Sequence, residues 1–228
     1  MAVELNPTQA RVIGCLMEKS VITPDQYPLT LNALTNACNQ KSSREPVMSL
    51  TQGDVQHTVR SLQDLHLVRV EENFKTRVEK YTQRLCNTPF SDYQFDQAEF
   101  AIVCVLLLRG PRTPGELRAN SGRLHTFEDN QAVEEASQGL LHRDGGPVVA
   151  KLPRIPGRRD AQYMHLLSGE VSSATQAAAD APAPSPAVPT DISAQATEGE
   201  PTLAQRVTQL EQEVEQLRAQ ISRMMSSE

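Results

Sequence analysis

Apolar residues recur at helical spacing in three segments of the first half of the chain. The segment "NPTQARVIGCLMEKSV" opens with Asn6 as an N-cap and then places an apolar residue every three or four positions. Thr23, followed by Pro24, predicts the start of a second helix through a capping box. Thr51 caps "TQGDVQHTVRSLQDLHL", whose apolar residues lie on one face and predict a third helix.

The same pattern occurs again in the second half of the chain. Asp96 caps a strongly apolar helix that is predicted to run to about Arg109. Thr113 and the proline after it match the earlier Thr-Pro pair and predict the next helix start. The segment "EDNQAVEEASQGLL" then predicts a third helix, so each half contributes three.

A β-prone and basic segment follows the third helix in each half. The segments "LVRVEENFKTRVEKYTQRL" and "VVAKLPRIPGRRDAQYMHLL" superpose when the second is shifted by 82 positions. This alignment matches Tyr81 with Tyr163 and Leu85 with Leu167. Two β-strands around a basic turn are the predicted form of both segments.

Helix, helix, helix and hairpin is the order of elements in a winged helix. We therefore predict a mainly α fold with small β-hairpin wings (α+β), built as two tandem winged-helix domains at residues 1–88 and 89–169. An Ala/Pro-rich segment at 170–201 has no apolar pattern and predicts a disordered linker. Residues 202–226 repeat apolar positions in steps of four and three, which predicts a coiled-coil helix.

The heptad pattern of the last segment favours a parallel homodimer. β-branched residues at a with leucine or methionine at d favour two parallel strands, and Arg206 attracts Glu211 of a second copy. The alternative is an amphipathic helix that docks on its own domain. The predicted seam residues are Leu203, Val207, Leu210, Val214, Leu217, Ile221 and Met224.

Charge is distributed unevenly along the chain. The net charge is −6, but residues 1–86 carry ten Lys/Arg against nine Asp/Glu, and residues 87–169 carry nine against ten. The acidity therefore belongs to residues 170–228, and the predicted domains are electrically balanced.

Composition narrows the class of protein. The apolar run from Ala101 to Leu108 is too short to span a membrane. The N-terminus lacks the pattern of a secretory signal, and the four widely spaced cysteines predict reduced core residues. We expect a cytoplasmic protein without a membrane partner.

Several long motifs carry a resemblance to a known family. The segments "QARVIGCLMEK", "TPDQYPLTLNALTNACNQKSSREPVMSL", "LLLRGPRTPGELR" and "YMHLLSGEV" resemble the YceH-like family of bacterial proteins, in the same order along the chain. The resemblance covers roughly residues 5–172. It implies a tandem winged-helix fold, in agreement with the repeat, and it implies no particular activity.

The sequence contains no motif of a known catalytic or metal site. It lacks H-E-x-x-H, G-x-S-x-G, a phosphate-binding glycine loop and a paired Cys/His spacing for zinc. We therefore expect a protein that is not an enzyme and needs no cofactor and no metal.

Nucleic-acid binding is one of two functions that the pattern favours. In a DNA-binding winged helix the third helix enters the major groove and the wing contacts phosphate. The third helix of the second half is acidic and is predicted to bind DNA poorly. The wing of the same half, by contrast, is the densest basic segment of the chain. The candidate DNA contacts are Lys41, Arg44, Gln52, Gln56, His57, Arg60, Lys75, Arg77, Lys80, Lys151, Arg154, Arg158 and Arg159.

Two hypotheses follow from these patterns. In the first, a dimer joined by the C-terminal coil binds duplex DNA as a regulator or nucleoid-associated factor. In the second, the tandem winged helices form a non-enzymatic scaffold for another protein, because the body is neutral and one third helix is acidic.

The segment "ACNQKSSREPVMSLTQGDVQ" between the second and third helices leaves two alternatives open. Asn39 is predicted to end the second helix in a left-handed conformation, and Pro46 to fix the chain before the third. Lys41 and Arg44 are predicted to lie near the N-terminus of the third helix, where phosphate binds well. The alternative is a structural turn in which Arg44 pairs with Glu45 or bonds to a neighbouring carbonyl.

Overall fold

The computed structural model describes residues 4–73, 78–89, 91–154, 157 and 159–169, all within one compact unit. In the first half the helices are α1 (Pro7–Ile22), α2 (Leu31–Cys38) and α3 (Gln52–Asp64), and the strands are β1 (Leu29–Thr30), β2 (Val68–Asn73) and β3 (Val78–Gln83). In the second half they are α4 (Gln97–Arg109), α5 (Pro114–Ser121), α6 (Asn130–Leu141), β4 (Val149–Lys151) and β5 (Tyr163–His165). The described residues thus form a mixed α and β fold in which three helices and a hairpin occur twice.

Both predicted hairpins are confirmed as antiparallel strand pairs. In the first half β3 lies between β1 and β2, and Tyr81 of β3 is opposite Leu29 and Val70. In the second half β4 pairs with β5, and Lys151 is opposite Tyr163. Tyr81 is 2% exposed and Tyr163 is 0% exposed. The two tyrosines that the sequence alignment matches therefore point into the core from equivalent strands.

Side-chain caps explain where most of the helices begin. Asn6, Thr51, Asp96 and Thr113 each accept a hydrogen bond from the backbone N–H three residues later, and the third residue bonds back to the cap. These reciprocal bonds satisfy donors that the helix itself leaves unpaired. The helix starts predicted at these four residues are confirmed.

The predicted helix start at Thr23 is wrong. Thr23 makes no side-chain cap, and only a three-residue 3-10 turn, Pro24–Gln26, follows it. Pro28 explains the interruption, because a proline lacks an N–H and disfavours the helical conformation of the residue before it, here the extended Tyr27. Helix α2 begins instead at Leu31, after Thr30 accepts a bond from the Ala33 N–H.

One hydrophobic core joins the two halves, and α1 packs against α4 at its centre. Gly14 of α1 allows the close approach: a Cβ there would lie 2.9 Å from Cδ2 of Leu108 and 3.1 Å from Cβ of Leu107. The thiol of Cys104 in α4 donates to the Gly14 carbonyl oxygen across the same contact, at 3.6 Å. All four cysteines are buried free thiols, as predicted.

The predicted boundary between residues 88 and 89 stays a prediction. The linker at 170–201 and the coiled-coil helix at 202–226, with the seven seam residues, lie outside the described residues. Within the described ranges, none of the helices combines the length and the apolar character that a membrane crossing requires.

Candidate nucleic-acid interface

Helix α3 has one buried face, and most of its other residues are exposed. Val55, Val59 and Leu62 are at most 1% exposed and anchor the helix in the core. Gln52, Gln56 and Arg60 follow one another four residues apart, so they form a row along the helix beside its buried face, and His57 lies further out. Gln52, His57 and Arg60 are exposed, and Gln56 is half-buried. The side chains predicted to contact bases are therefore accessible to solvent, that of Gln56 only in part.

The first hairpin adds a modest basic charge. Lys80 is half-buried on β3 and lies opposite Glu71 in the strand register. Arg69 on β2 approaches the same Glu71 carboxylate at 3.8 Å. The predicted contacts Lys75 and Arg77 lie outside the described residues. Neighbouring carboxylates thus offset part of the positive charge of this hairpin.

The second hairpin presents its basic residues to solvent. Lys151, Arg154 and Arg159 are exposed, and the Lys151 ammonium lies 5.5 Å from the centre of the Tyr163 ring. Arg158 lies outside the described residues. No hydrogen bond or salt bridge of the described residues joins Lys151, Arg154 or Arg159 to α3.

Arg44 is not a surface residue, so the prediction that it contacts phosphate is wrong. It is 4% exposed and forms a two-pronged pair with Glu18 of α1: Nη1 donates to Oε1 at 3.0 Å and Nη2 to Oε2 at 2.6 Å. Its Nε donates to the Ala37 carbonyl oxygen at 3.0 Å, and Nη1 also donates to that of Ser43 at 2.9 Å. Arg44 holds the turn to α1 and α2, as the structural alternative predicts, although the carboxylate is Glu18 and not Glu45.

The pKa values of the Arg44–Glu18 pair shift as expected for a buried ion pair. Burial alone would raise the pKa of Glu18, but the hydrogen bonds and charge of Arg44, with Lys19 at 3.2 Å, hold that pKa below its ordinary value. Burial alone would lower the pKa of Arg44, and the Glu18 carboxylate raises it above the ordinary value instead. Both groups are therefore charged near neutral pH.

Sequence reasoning missed Glu18 as a partner, although a signal was present. Arg11 and Glu18 are seven residues apart, so they lie on one side of α1, and both are less than 5% exposed. Charged residues on a buried helix face require partners. That spacing could have pointed to a buried basic residue elsewhere in the chain.

The predicted left-handed end of α2 at Asn39 is also wrong. Asn39 has φ −93° and ψ 9°, and its side chain bonds to Leu50 twice. Oδ1 accepts from the Leu50 N–H at 2.8 Å, and Nδ2 donates to the Leu50 carbonyl oxygen at 2.8 Å. The amide therefore ties the end of α2 to the residue before the Thr51 cap.

The N-terminus of α3 already has an anionic partner. The Asp54 carboxylate accepts from the Thr51 hydroxyl at 2.7 Å and from the Thr51 N–H at 2.8 Å. These two hydrogen bonds lower the pKa of Asp54. A phosphate at this helix end would have to compete with Asp54. Lys41, which is exposed, remains the one candidate of the turn at the surface of the described structure.

The exposed side of α6 has the opposite character to that of α3. Glu134 and Glu135 lie there with Gln131 and Gln138, and Gln131 donates to the Glu135 carboxylate at 2.9 Å. Two carboxylates lie on this side, and the expectation that they repel phosphate stays a prediction. The described residues contain no cluster of three or more His, Cys, Asp or Glu side chains placed to hold a metal ion. The expectation that the protein is not an enzyme stays a prediction.

Comparison with known proteins places the chain in a family. A family model described as "Protein of unknown function, DUF480" matches residues 5–158. A UPF0502 protein of Vibrio campbellii (strain ATCC BAA-1116) is 51% identical over 214 residues, which are 94% of this chain and 91% of that protein. A UPF0502 protein of Shewanella oneidensis is 48% identical over 226 residues, which are 98% of this chain and 99% of that protein. The YceH-like resemblance is consistent with these matches, and the chain belongs to this DUF480 (UPF0502) family of bacterial proteins.

Proposed function

We propose that the protein binds duplex DNA through α3, as a dimeric regulator or nucleoid-associated factor built on tandem winged helices. The observation that carries the proposal is the polar row Gln52, Gln56 and Arg60, which runs beside the buried face of a helix anchored in the core. The order of helices and hairpins supports the winged-helix interpretation, because such folds offer their third helix to the major groove.

The side chains of this row have the chemistry that base readout requires. A glutamine amide pairs with the N6 and N7 edge of adenine, and an arginine pairs with O6 and N7 of guanine. Lys41 and Lys80 would contact phosphate beside α3, and the wing with Lys151, Arg154 and Arg159 would contact it elsewhere. The acidic side of α6 plays no part in this mode.

A dimer would strengthen such an interface. A parallel coiled coil at 202–226 would link two copies of α3, and two half-sites on DNA would then be bound together. The acidic residues of segment 170–228 would remain apart from the DNA, because like charges repel.

A protein-interaction scaffold is the second candidate, and the exposed side of α6 favours it. Glu134, Glu135 and the neighbouring amides form a surface that suits a basic partner better than a nucleic acid. In this mode the neutral body would bind no DNA at all.

Paired substitutions on the two helices distinguish these candidates. We expect the double variant Gln56→Ala, Arg60→Ala to lose about tenfold or more in affinity for duplexes selected by the wild-type protein, because it removes base contacts. Fluorescence anisotropy with labelled duplexes measures the loss. The matched control, Gln131→Ala with Gln138→Ala on α6, should bind as the wild type does. Equal binding by both double variants would contradict the α3 interface.

A further inference from the structure

A groove with a volume of about 880 Å³ lies between the residues before α1, α1 itself, α4 and β5. Its size falls within the range of small-molecule sites, roughly 300–1,000 Å³. Met48 of the turn and Met164 of β5 are half-buried and line the groove with apolar atoms, and Leu106 and Leu107 of α4, which are buried, also border it. The groove is separate from the exposed side of α3.

Arg11 on the groove wall is a buried cation that pairs with none of the carboxylates in the described part of the chain. It is 2% exposed, Nη1 donates to the Cys38 carbonyl oxygen at 3.1 Å, and Nη2 donates to that of Pro46 at 2.6 Å. Nε has no hydrogen-bond partner, and no carboxylate of the described residues forms a salt bridge with Arg11. Neutral carbonyl oxygens only partly offset a buried positive charge, and burial accordingly lowers the pKa of Arg11.

His165 adds a second unpartnered polar group to the groove. It is 7% exposed, and its Nδ1 has no hydrogen-bond partner among the described residues. Burial lowers the pKa of His165 to about 4, so the imidazole is neutral at pH 7 and Arg11 supplies the buried positive charge. Of the two carboxylates along the groove, Glu45 pairs with Arg112 and Glu4 is exposed.

We propose that this groove binds a small molecule with an apolar body and one carboxylate. The apolar body would cover the methionine side chains, and the carboxylate would supply a counter-anion for Arg11. A charge-assisted bond to guanidinium is stronger than a bond between neutral groups, so the carboxylate should determine the choice of ligand. This site is independent of DNA binding by α3, and either proposal can fail without the other.

Three probe compounds test the ligand class on the full chain by isothermal titration calorimetry. Decanoate carries both the apolar body and the carboxylate, decan-1-ol lacks the charge, and acetate lacks the apolar body. We expect decanoate to bind about tenfold or more tightly than decan-1-ol, and acetate to bind undetectably. Equal affinity for decanoate and decan-1-ol, or no binding of decanoate at millimolar concentration, would overturn the proposal.

Two tryptophan substitutions test the location. Met164→Trp places a bulky side chain in the groove and should weaken decanoate binding about tenfold or more. Val47→Trp is the matched control, because Val47 is 57% exposed and does not line the groove. This variant should bind decanoate as the wild type does. Unchanged decanoate binding by Met164→Trp would place the ligand elsewhere and refute the site.

Arg11→Met tests the charge partner directly. Where circular dichroism shows that this variant folds, it should bind decanoate and decan-1-ol equally, and a retained preference for decanoate would contradict the role of Arg11. If Arg11→Met does not fold, the comparison of probe compounds and the Met164→Trp variant still decide the proposal.

Discussion

Replacing Arg44 by leucine is expected to destabilise the protein by about 3–5 kcal/mol, the usual cost of removing one partner of a buried ion pair. The Arg44 side chain is fully buried, and that of Glu18 is 6% exposed. Without the guanidinium, Glu18 would lose its two-pronged partner and keep the single contact with Lys19 seen among the described residues, and the Ala37 and Ser43 carbonyl oxygens would each lose a donor. Urea unfolding at pH 7 measures the loss.

The effect of Arg44→Leu should depend on pH in a defined direction. In the wild type the pKa of Glu18 is held below its ordinary value of 4.5, so the pair stabilises the fold above that pH and less as the pH falls through the lower value. In the variant, burial would raise the pKa of Glu18, and protonation would relieve the unpaired charge. The difference in unfolding free energy should therefore shrink when the unfolding series is repeated near pH 4.

An exposed ion pair provides the control for Arg44→Leu. Arg69 is 66% exposed and lies 3.8 Å from Glu71, so Arg69→Leu should cost less than about 1 kcal/mol. Equal losses of unfolding free energy in the two variants would show that burial of the Arg44–Glu18 pair adds nothing to stability. That result would contradict the structural role of Arg44 in the turn.

Replacing Gly14 by valine is expected to cost about 2–3 kcal/mol, because it overpacks the contact between α1 and α4. The first added carbon would lie 2.9 Å from Cδ2 of Leu108 and 3.0 Å from its Cγ, and valine adds two further carbons. Both helices are buried along this contact, so the added atoms would force α1 and α4 apart. Urea unfolding of the full chain measures the effect.

Gly53 is the matched control for the Gly14 substitution. It also lies in a helix, but the atom nearest to an added Cβ is Oγ1 of Thr51 at 3.6 Å, an ordinary contact distance. Gly53→Val should therefore change stability by less than about 1 kcal/mol in either direction. A similar loss at both positions would mean that helix propensity, and not close packing of α1 on α4, determines the effect.

Local patterns predict most of the helices and both strand pairs, because they depend on residues close together in the chain. The caps at Asn6, Thr51, Asp96 and Thr113 and the helical spacing of the apolar residues are readable without the fold. The equivalence of Tyr81 and Tyr163 emerges from the alignment alone, and both side chains are buried.

The predictions at Arg44 and Asn39 are wrong because of contacts that the local pattern does not encode, whereas the prediction at Thr23 overlooks a proline that the sequence shows. Thr23 has the sequence of a cap, but Pro28 delays α2 until Thr30 can cap it. Arg44 looks like a surface residue and is held by Glu18, 26 residues away, and Asn39 looks like a helix end and is held by Leu50, 11 residues away. The groove beside Arg11 requires the packing of both halves and cannot be inferred from spacing.

Binding of the full chain to random-sequence duplex DNA over a salt series tests the proposed function most directly. Each phosphate neutralised by a lysine or arginine contributes about −0.9 to the slope of log affinity against log salt concentration. Contacts by Lys41, Lys80, Lys151, Arg154 and Arg159 predict a slope of about −4.5. A slope near zero, or no binding at about 50 mM salt, would contradict DNA binding by this protein.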